Sequence, residues 1–281
     1  MGLLLAHGRS QKLTRVNSGH AALLGDANFP DLTLRVSQGE KIVRAQNLWK
    51  VYCTLGFTHD YDRPLAIQGM FMRLLAAFKA RGSFGVLDDS ETSGDKRNQT
   101  GGLLRRMLLW YRPQNQSSMA RIQFPPGAQG APSWSWMAYS GHIEFLRPMF
   151  GGIDWAELEA PWSRAHLARN PQFFAEKETA FRGVLSNLAP LDQVDLGEKG
   201  KLYYDIPSEN IQHKPVQCVI LGTEREPRAQ PKSRVHFFII VRPVRSRFPE
   251  LSVAEHAYER IGAGYLPGQY ISSSDLKVEI Y

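Results

Sequence analysis

The sequence predicts an α+β protein, in which an N-terminal helical part packs on a β-rich C-terminal part that forms an antiparallel sandwich or a distorted barrel. Two observations predict this class. Apolar residues recur at three- and four-residue steps between positions 40 and 78, which is typical of amphipathic helices. Beyond position 175, short apolar runs alternate with glycine and proline, which is typical of strands and turns. The 17 prolines and 24 glycines favour many short elements over a helix bundle.

The helical part is expected to begin after a poorly structured segment at 1–40, which shows no sustained apolar period. The spacing of apolar residues predicts the first helix over 40–55. Asp62 is expected to cap a second helix, in whose first turn Pro64 is tolerated. Gly82 is expected near the end of that helix.

The middle of the chain connects the two parts. Residues 103–110 have helical spacing at the start, and their end either closes the helix or continues as a strand. The alternation over 132–139 predicts a strand in which Trp134 and Trp136 leave on the same face. Its expected hairpin partner is 142–146. We expect the side chains of Trp110, Pro132, Trp155 and Trp162 to stabilise the fold.

The C-terminal part is expected to contain six strands. Their positions are 180–188, 201–206, 216–221, 235–241, 258–265 and 277–281. The chain therefore divides into the N-terminal segment 1–40, a helical region with the tryptophan-rich hairpin at 41–165, and a β-rich region at 166–281. The β-rich region is either separate or forms one continuous domain with 41–165.

The tryptophan-rich segment has two interpretations. Each indole combines a large apolar face with one N–H donor, so the segment suits a core scaffold, which is the favoured interpretation. The alternative is a ligand pocket lined by Trp134, Trp136, Tyr139 and His142. His142, with Glu144 two residues further on, is the strongest candidate for a general base, although a structural histidine is favoured there too.

Motifs of known chemistry are missing from the sequence. We find no phosphate loop, H-E-x-x-H, C-x-x-C or G-x-S-x-G pattern. The glycine-rich stretch 262–268 has the wrong spacing for a dinucleotide fingerprint and predicts a strand with a turn. His59, Asp60 and Asp62 could hold a metal, but capping and ion pairing with Arg63 are favoured. We therefore predict no catalytic residue, no cofactor and no metal.

The charge leaves a nucleic-acid partner open as an alternative. The net charge is +7 and the pI is about 9.4. However, the basic residues are scattered, and the densest groups, at 96–97, 105–106 and 242–247, are short. A single-strand binder would interleave such residues with aromatic ones. Nucleic-acid binding is therefore not the favoured function.

Cysteine usage and hydropathy indicate the compartment. Cys53 and Cys218 lie far apart in expected core elements, which is typical of buried free thiols in a reducing environment. The first apolar run is too short for a signal peptide. No apolar run approaches the ~20 residues that cross a bilayer. We predict a cytoplasmic protein without a membrane partner.

Several segments, taken in order over roughly 25–281, resemble fungal heterokaryon-incompatibility (HET) domain proteins. The most specific of them is Pro-Ser-Trp-Ser-Trp at 132–136. The others include Asp-Arg-Pro-Leu-Ala-Ile-Gln-Gly at 62–69, Gly-Ile-Asp-Trp at 152–155, Pro-Trp at 161–162 and Tyr-Glu-Arg-Ile-Gly at 258–262. In that family, these segments follow the HET domain itself, whose fold is similar to TIR domains and which is linked to cell-death signalling.

The resemblance implies a non-catalytic module and no effector residue. The Ser-Tyr-x-Trp-Gly-like strand that opens the HET domain is absent here, so we expect a shortened paralogue, a split gene or a truncated gene model. The implied function is an accessory or interaction module in non-self recognition or regulated cell death. Its implied partner is a protein, such as a full-length HET-family member. A small-ligand-binding protein or hydrolase around Trp134 and Trp136 is the alternative.

Overall fold

The computed structural model describes residues 36–89, 102–114, 119–128, 130–163, 179–190, 200–206, 216–225, 231–244 and 256–281. It confirms the α+β class, because helices come first and a mostly β region follows. The helices are α1 (Gln38–Cys53), α2 (Arg63–Phe78) and α3 (Leu103–Leu108). None of these described helices combines the length and the apolar character that crossing a bilayer requires.

The start of α1 corrects the prediction for the N-terminal segment. The Ser37 hydroxyl accepts a hydrogen bond from the Glu40 N–H at 3.3 Å, and the Glu40 carboxylate accepts one from the Ser37 N–H at 3.2 Å. This capping box satisfies N–H groups that the helix would otherwise leave unpaired. Residues 36–40 therefore form the cap and first turn, whereas 1–35 lie outside the described residues.

The two long helices pack through aromatic and aliphatic side chains. The ring of Trp49 in α1 lies 6.2 Å from Phe71 of α2, measured between centroids. Leu74 of α2 is buried in the same cluster. Lys79, with a left-handed φ of 50°, ends α2, whereas Gly82 was expected near that position. Gly82 lies instead in the strand that follows.

Short strands connect the helices to the rest of the chain. A hairpin of β1 (Arg81–Ser83) and β2 (Val86–Asp88) follows α2. After α3 the chain continues as a strand. This was one of the two arrangements expected for the end of 103–110. The short strands that follow are β3 (Trp110–Tyr111), β4 (Ala120–Arg121), β5 (Tyr139–Ser140), β6 (Glu144–Phe145) and β7 (Ile153–Trp155).

The tryptophan-rich segment does not form the predicted strand. Trp136–Ala138 is a single 3₁₀ turn, and only the next two residues are extended, in β5. Ser135 favours the turn because its hydroxyl accepts a hydrogen bond from the Met137 N–H at 2.9 Å, and such local bonds compete with a strand ladder. The expected hairpin with 142–146 is also wrong, since β5 pairs with β4 and β6 pairs with β3.

The C-terminal part forms a seven-stranded mixed sheet. Its strands beyond β7 are β8 (Phe181–Leu188), β9 (Lys201–Tyr204), β10 (Gln217–Glu224), β11 (Val235–Pro243), β12 (Ala257–Pro267) and β13 (Ile271–Ile280). Strands β8, β10, β11 and β12 pair antiparallel in that order, and β13 pairs parallel with β12 and antiparallel with β8. These pairings close a ring, which is the distorted barrel of the two predicted arrangements. Strands β7 and β9 extend it.

The end of β12 and the start of β13 can be compared with the predicted strand positions. The glycine-rich stretch 262–268 is the end of β12 followed by a 3₁₀ turn, as predicted. Strand β13 begins at Ile271, earlier than the predicted 277. Three consecutive serines at 272–274 hide the start of that strand, because they remove the apolar alternation that a sequence pattern detects.

One cluster of buried side chains connects the helical part to the barrel. It includes Trp49 of α1, Leu74 of α2 and Trp110 of β3, together with Phe181 of β8 and Ile280 of β13. A second, smaller cluster contains residues of β8, β10, β11 and β12. The predicted regions 41–165 and 166–281 therefore share a core.

Candidate functional site

A groove of about 440 Å³ lies beside α2 in the part of the chain that the structure describes. Its walls are the outer face of α2, the turn between β1 and β2, and the loop at 124–128. The apolar lining comes from Leu65, Phe71, Met72, Phe84, Phe124 and Met137. This volume falls within the ~300–1,000 Å³ that is usual for ligand pockets.

Helix α2 exposes two large apolar side chains along this groove. Leu65 is 71% exposed and Met72 is 39% exposed, whereas Ile67 and Leu74 on the other face of the helix are buried. Fully burying an exposed Leu or Met side chain contributes ~1.5–3 kcal/mol of apolar transfer free energy. The groove therefore favours an apolar occupant.

The tryptophan-rich segment holds one wall of the groove in place. The Ser135 hydroxyl donates to the Phe84 carbonyl at 2.7 Å, and the Trp136 indole N–H donates to the Gly85 carbonyl at 3.3 Å. Phe84 has a left-handed φ of 48°, which costs a non-glycine residue ~1–2 kcal/mol. Tertiary contacts stabilise this conformation, so the wall is formed before any partner arrives.

Asp62 does not have the capping role predicted for it. It stands at the N-cap position of α2, but its side chain makes no capping hydrogen bond. Its backbone is already helical at this position, with φ −76° and ψ −15°, whereas a capping residue adopts an extended conformation. Asp62 is instead one of the residues that line the groove.

Arg63 is buried behind the groove. Its guanidinium donates to the carbonyls of Cys53 and Leu55 at 3.3 and 3.4 Å, and its central carbon lies 4.9 Å from the centroid of the Phe57 ring. The predicted ion pair forms with Asp60, at 3.9 Å. The positive charge of Arg63 is thus directed into the protein.

The residues predicted to form a ligand pocket do not meet at the groove. Trp134, Trp136 and Tyr139 are buried, as the scaffold interpretation requires. His142 is partly exposed, and its Nε2 lies 3.5 Å from a carboxylate oxygen of Glu144. None of the four lines the groove, which Met137 reaches from the same segment. Their ligand-binding role stays a prediction.

The other predicted structural residues lie within the fold. The indole of Trp110 donates to the Trp134 carbonyl, and the indole of Trp162 donates to the Asp88 carboxylate, both at 2.9 Å. Pro132 is buried. Trp155 ends β7, where it pairs with β10. These contacts join the helical part, the connecting strands and the barrel.

A buried charged cluster at this junction was missed by the sequence reasoning. Arg260 of β12 and Asp205 are both buried, with Nε and Oδ2 3.0 Å apart. The guanidinium also donates to the carbonyls of Leu108 and Trp110 and lies 3.5 Å from the centroid of the Trp110 ring. Burial raises the pKa of Asp205, and Arg260 opposes that rise. The available signal was that Arg260 occupies a position inside an apolar strand.

A second buried set of charges lies beside α3. Burial, with a smaller contribution from Asp88, raises the pKa of the Asp89 carboxyl. Burial lowers the pKa of Arg105, whose Nε donates to the Ala156 carbonyl at 2.8 Å. Within the ranges given above, no three His, Cys, Asp or Glu side chains are placed together as metal ligands.

The described basic groups that suggested nucleic acid contact other parts of the protein itself. Arg105 and Arg106 are buried, and burial lowers the pKa of Arg106 to about 10. Arg242 forms an ion pair with Glu259 at 2.7 Å. The groups at 96–97 and 245–247 lie outside the described residues. The described basic residues of these groups therefore do not form a basic surface for binding nucleic acid.

Both cysteines are buried free thiols, as predicted. Burial raises the pKa of Cys53 and that of Cys218 to about 12. Since the thiolate is the nucleophile and metal ligand, neither side chain is prepared for that chemistry at neutral pH.

Comparisons of the chain with protein-family models, with curated proteins and with solved structures gave no match. The resemblance to HET-domain proteins therefore stays a prediction. What the chain does is inferred from the geometry of the groove together with that resemblance.

Proposed function

We propose that this chain is a non-catalytic protein-interaction module of the HET type, and that the groove beside α2 is its contact surface. The observation that carries the proposal is the exposure of Leu65 and Met72 along an apolar groove of about 440 Å³. Concave, mostly apolar surfaces of this volume are where proteins usually bind their ligands.

The groove is preformed, which favours specific binding. The left-handed Phe84 and the adjacent Gly85 are held by hydrogen bonds from Ser135 and Trp136. A partner that docks here does not have to order this wall, and avoiding such ordering costs increases affinity. The same tryptophan-rich segment carries the most specific part of the resemblance. The resemblance and the groove thus support the same region as the functional one.

The proposed partner is a protein of the same family, such as a full-length HET-domain protein. In this role the chain contributes to non-self recognition or regulates the cell-death activity of its relative, in the cytoplasm. The partner segment inserts apolar side chains between Leu65 and Met72 on one side and Phe124 on the other. Aromatic and aliphatic anchors in such pockets dominate the affinity of most interfaces.

Site-specific photo-crosslinking tests this proposal. A photoreactive phenylalanine analogue replaces Leu65 in the groove and, in a control variant, Ala76, which is exposed on the same helix but outside the groove. Each variant is mixed with a purified full-length HET-domain protein from the same genome. We expect crosslinking from position 65 and none from position 76. Equal yields at both positions, or none at either, would contradict the proposal.

A small apolar ligand is the second candidate occupant, because the volume of the groove also suits one. The lining would then be Phe71, Phe84, Phe124 and Met137, and not the predicted Trp134 and Trp136. A thermal-shift screen with apolar compounds distinguishes the two. Stabilisation that Phe124→Ala abolishes, without any crosslink to protein, would favour the small ligand.

A further inference from the structure

The charge of the groove is opposite to that of the protein. The chain carries a net charge of +7. Among the described residues that line the groove, however, Asp62 is the only charged one. Asp60, two residues earlier, is also largely exposed. An otherwise basic protein therefore presents negative charge at this surface.

The neighbouring arginine does not cancel this charge. Arg63 is 3% exposed, and its guanidinium is used by the carbonyls of Cys53 and Leu55. Its ion pair is with Asp60 at 3.9 Å, and the Asp60 side chain is half exposed, which weakens the attraction. Arg63 thus pairs with Asp60 and not with Asp62, which is partly exposed and lines the groove.

The helix end reduces the negative charge but does not remove it. The N-terminus of a helix is equivalent to roughly +0.5 elementary charge, whereas an ionised carboxylate carries a full negative charge. An aspartate that caps its helix uses its carboxylate on backbone N–H groups, but Asp62 makes no such hydrogen bond. The end of the groove at Asp62 is therefore net negative.

We propose that the groove selects segments in which an apolar anchor is followed or preceded by a lysine or arginine. The basic side chain of such a segment forms an ion pair with Asp62. The apolar anchor lies against Leu65 and Met72, and the basic group lies beside Asp62. This inference rests on the docking role proposed above and adds the chemistry of the partner. An acidic segment or a polyphosphate is disfavoured at the same place, since like charges at an interface suppress wrong partners.

Peptide selection with the full chain tests the inference. A phage-displayed library of short random peptides is selected against the wild type, against Asp62→Asn and against Asp275→Asn. Asp275 is exposed on β13, away from the groove, so its variant has the same net charge as Asp62→Asn. We expect apolar peptides enriched in Lys and Arg from the wild type and from Asp275→Asn. The enrichment in Lys and Arg is expected to be lost with Asp62→Asn.

The affinity of one selected peptide measures how strongly the groove prefers basic residues. Fluorescence anisotropy compares that peptide with a version in which its basic residues are replaced by glutamate. We expect the basic version to bind the wild type about fivefold more tightly, the ratio that ~1 kcal/mol of ion pairing gives. Asp62→Asn is expected to bring the ratio close to one, and Asp62→Lys to reverse it. A ratio is unaffected by a general loss of folded protein.

The outcomes separate this inference from the proposed function. Apolar peptides without a basic preference, whose binding Leu65→Ser abolishes, would overturn the role of Asp62 and leave the docking role intact. A basic preference that survives in Asp62→Asn would do the same. No enrichment, or peptides that bind Leu65→Ser as well as the wild type, would overturn both.

Discussion

The buried cluster around Arg260 and the groove beside α2 each contain one aspartate, in opposite surroundings. The carboxylate of Asp205 is fully buried and accepts two hydrogen bonds from Arg260, at 3.0 and 3.2 Å. Asp62 lies at the start of α2, makes no capping hydrogen bond and lines the groove. The first carboxylate is used entirely within the protein, whereas the second belongs to a partly exposed residue of the groove lining.

This difference separates structural from functional use of the same side chain. Removing a buried partner leaves an uncompensated charge inside the protein, so the cost appears as lost stability. Removing the side chain of a groove residue changes which partners the surface binds, but leaves the packing of the core unchanged. The two regions should therefore respond to substitution in different measurements.

The largest effect is expected from Asp205→Ala. This substitution leaves the buried guanidinium of Arg260 without its ion pair, and breaking such a pair costs ~3–5 kcal/mol. Urea denaturation measures the free energy of unfolding. The double variant Asp205→Ala/Arg260→Met should lose less than the sum of the two single variants, because the pair is removed together. A loss below ~1 kcal/mol for Asp205→Ala would show that the cluster is not a structural centre.

A smaller effect is expected from Gly85→Ala, which tests the wall of the groove. Gly85 has φ 77°, and a Cβ atom there would lie 2.5 Å from Nε1 of Trp136. Gly151 is the matched control, since it has φ 74° and nothing within 4 Å of its Cβ position. Both variants bear the left-handed strain of ~1–2 kcal/mol, but only Gly85→Ala adds overpacking of ~1–3 kcal/mol. Equal losses for the two variants would mean that Trp136 does not hold the wall.

The sequence was sufficient for the parts of the fold that depend on local periodicity. The helices at 40–55 and after Asp62, and most barrel strands, follow from apolar spacing that tertiary contacts merely reinforce. The turn at Trp136–Ala138 was not predicted, because a single hydroxyl, that of Ser135, outweighs the alternation of the indoles. The sequence also could not decide between a sandwich and a barrel, since closure of the ring depends on β13 pairing with β8, which lies many residues earlier in the chain.

The candidate site was less predictable than the fold. The aromatic residues that stand out in the sequence are in the core, as the favoured interpretation had it. The groove is assembled from α2, a hairpin turn and the loop at 124–128, which no spacing pattern places together. Leu65 and Met72 look like ordinary helix residues in the sequence. Their exposure depends on which face of α2 packs on Trp49, and that is a tertiary property.

A further prediction compares the starts of the two long helices. Ser37 makes a capping box with Glu40, so Ser37→Ala should destabilise the protein by ~1 kcal/mol. Asp62 makes no capping bond, so Asp62→Ala should cost less than ~0.5 kcal/mol. Thermal and urea unfolding of both variants measure the difference. If Asp62→Ala proved as costly as Ser37→Ala, Asp62 would be acting as a cap in solution, and its role in the groove would be weakened.

The smallest effect on stability is expected from Leu65→Ser. This variant most directly tests the difference between the groove and the buried cluster around Arg260. Leu65 is 71% exposed, so the substitution should change the free energy of unfolding by no more than ~0.5 kcal/mol. Ile67, two residues further along α2, is 2% exposed, and Ile67→Ser should cost more than ~2 kcal/mol. Because Leu65→Ser keeps the fold, any loss of crosslinking or peptide binding in that variant is assigned to the groove itself. A large loss of stability in Leu65→Ser would instead place Leu65 in the core and remove the exposed apolar surface from which the docking role is inferred.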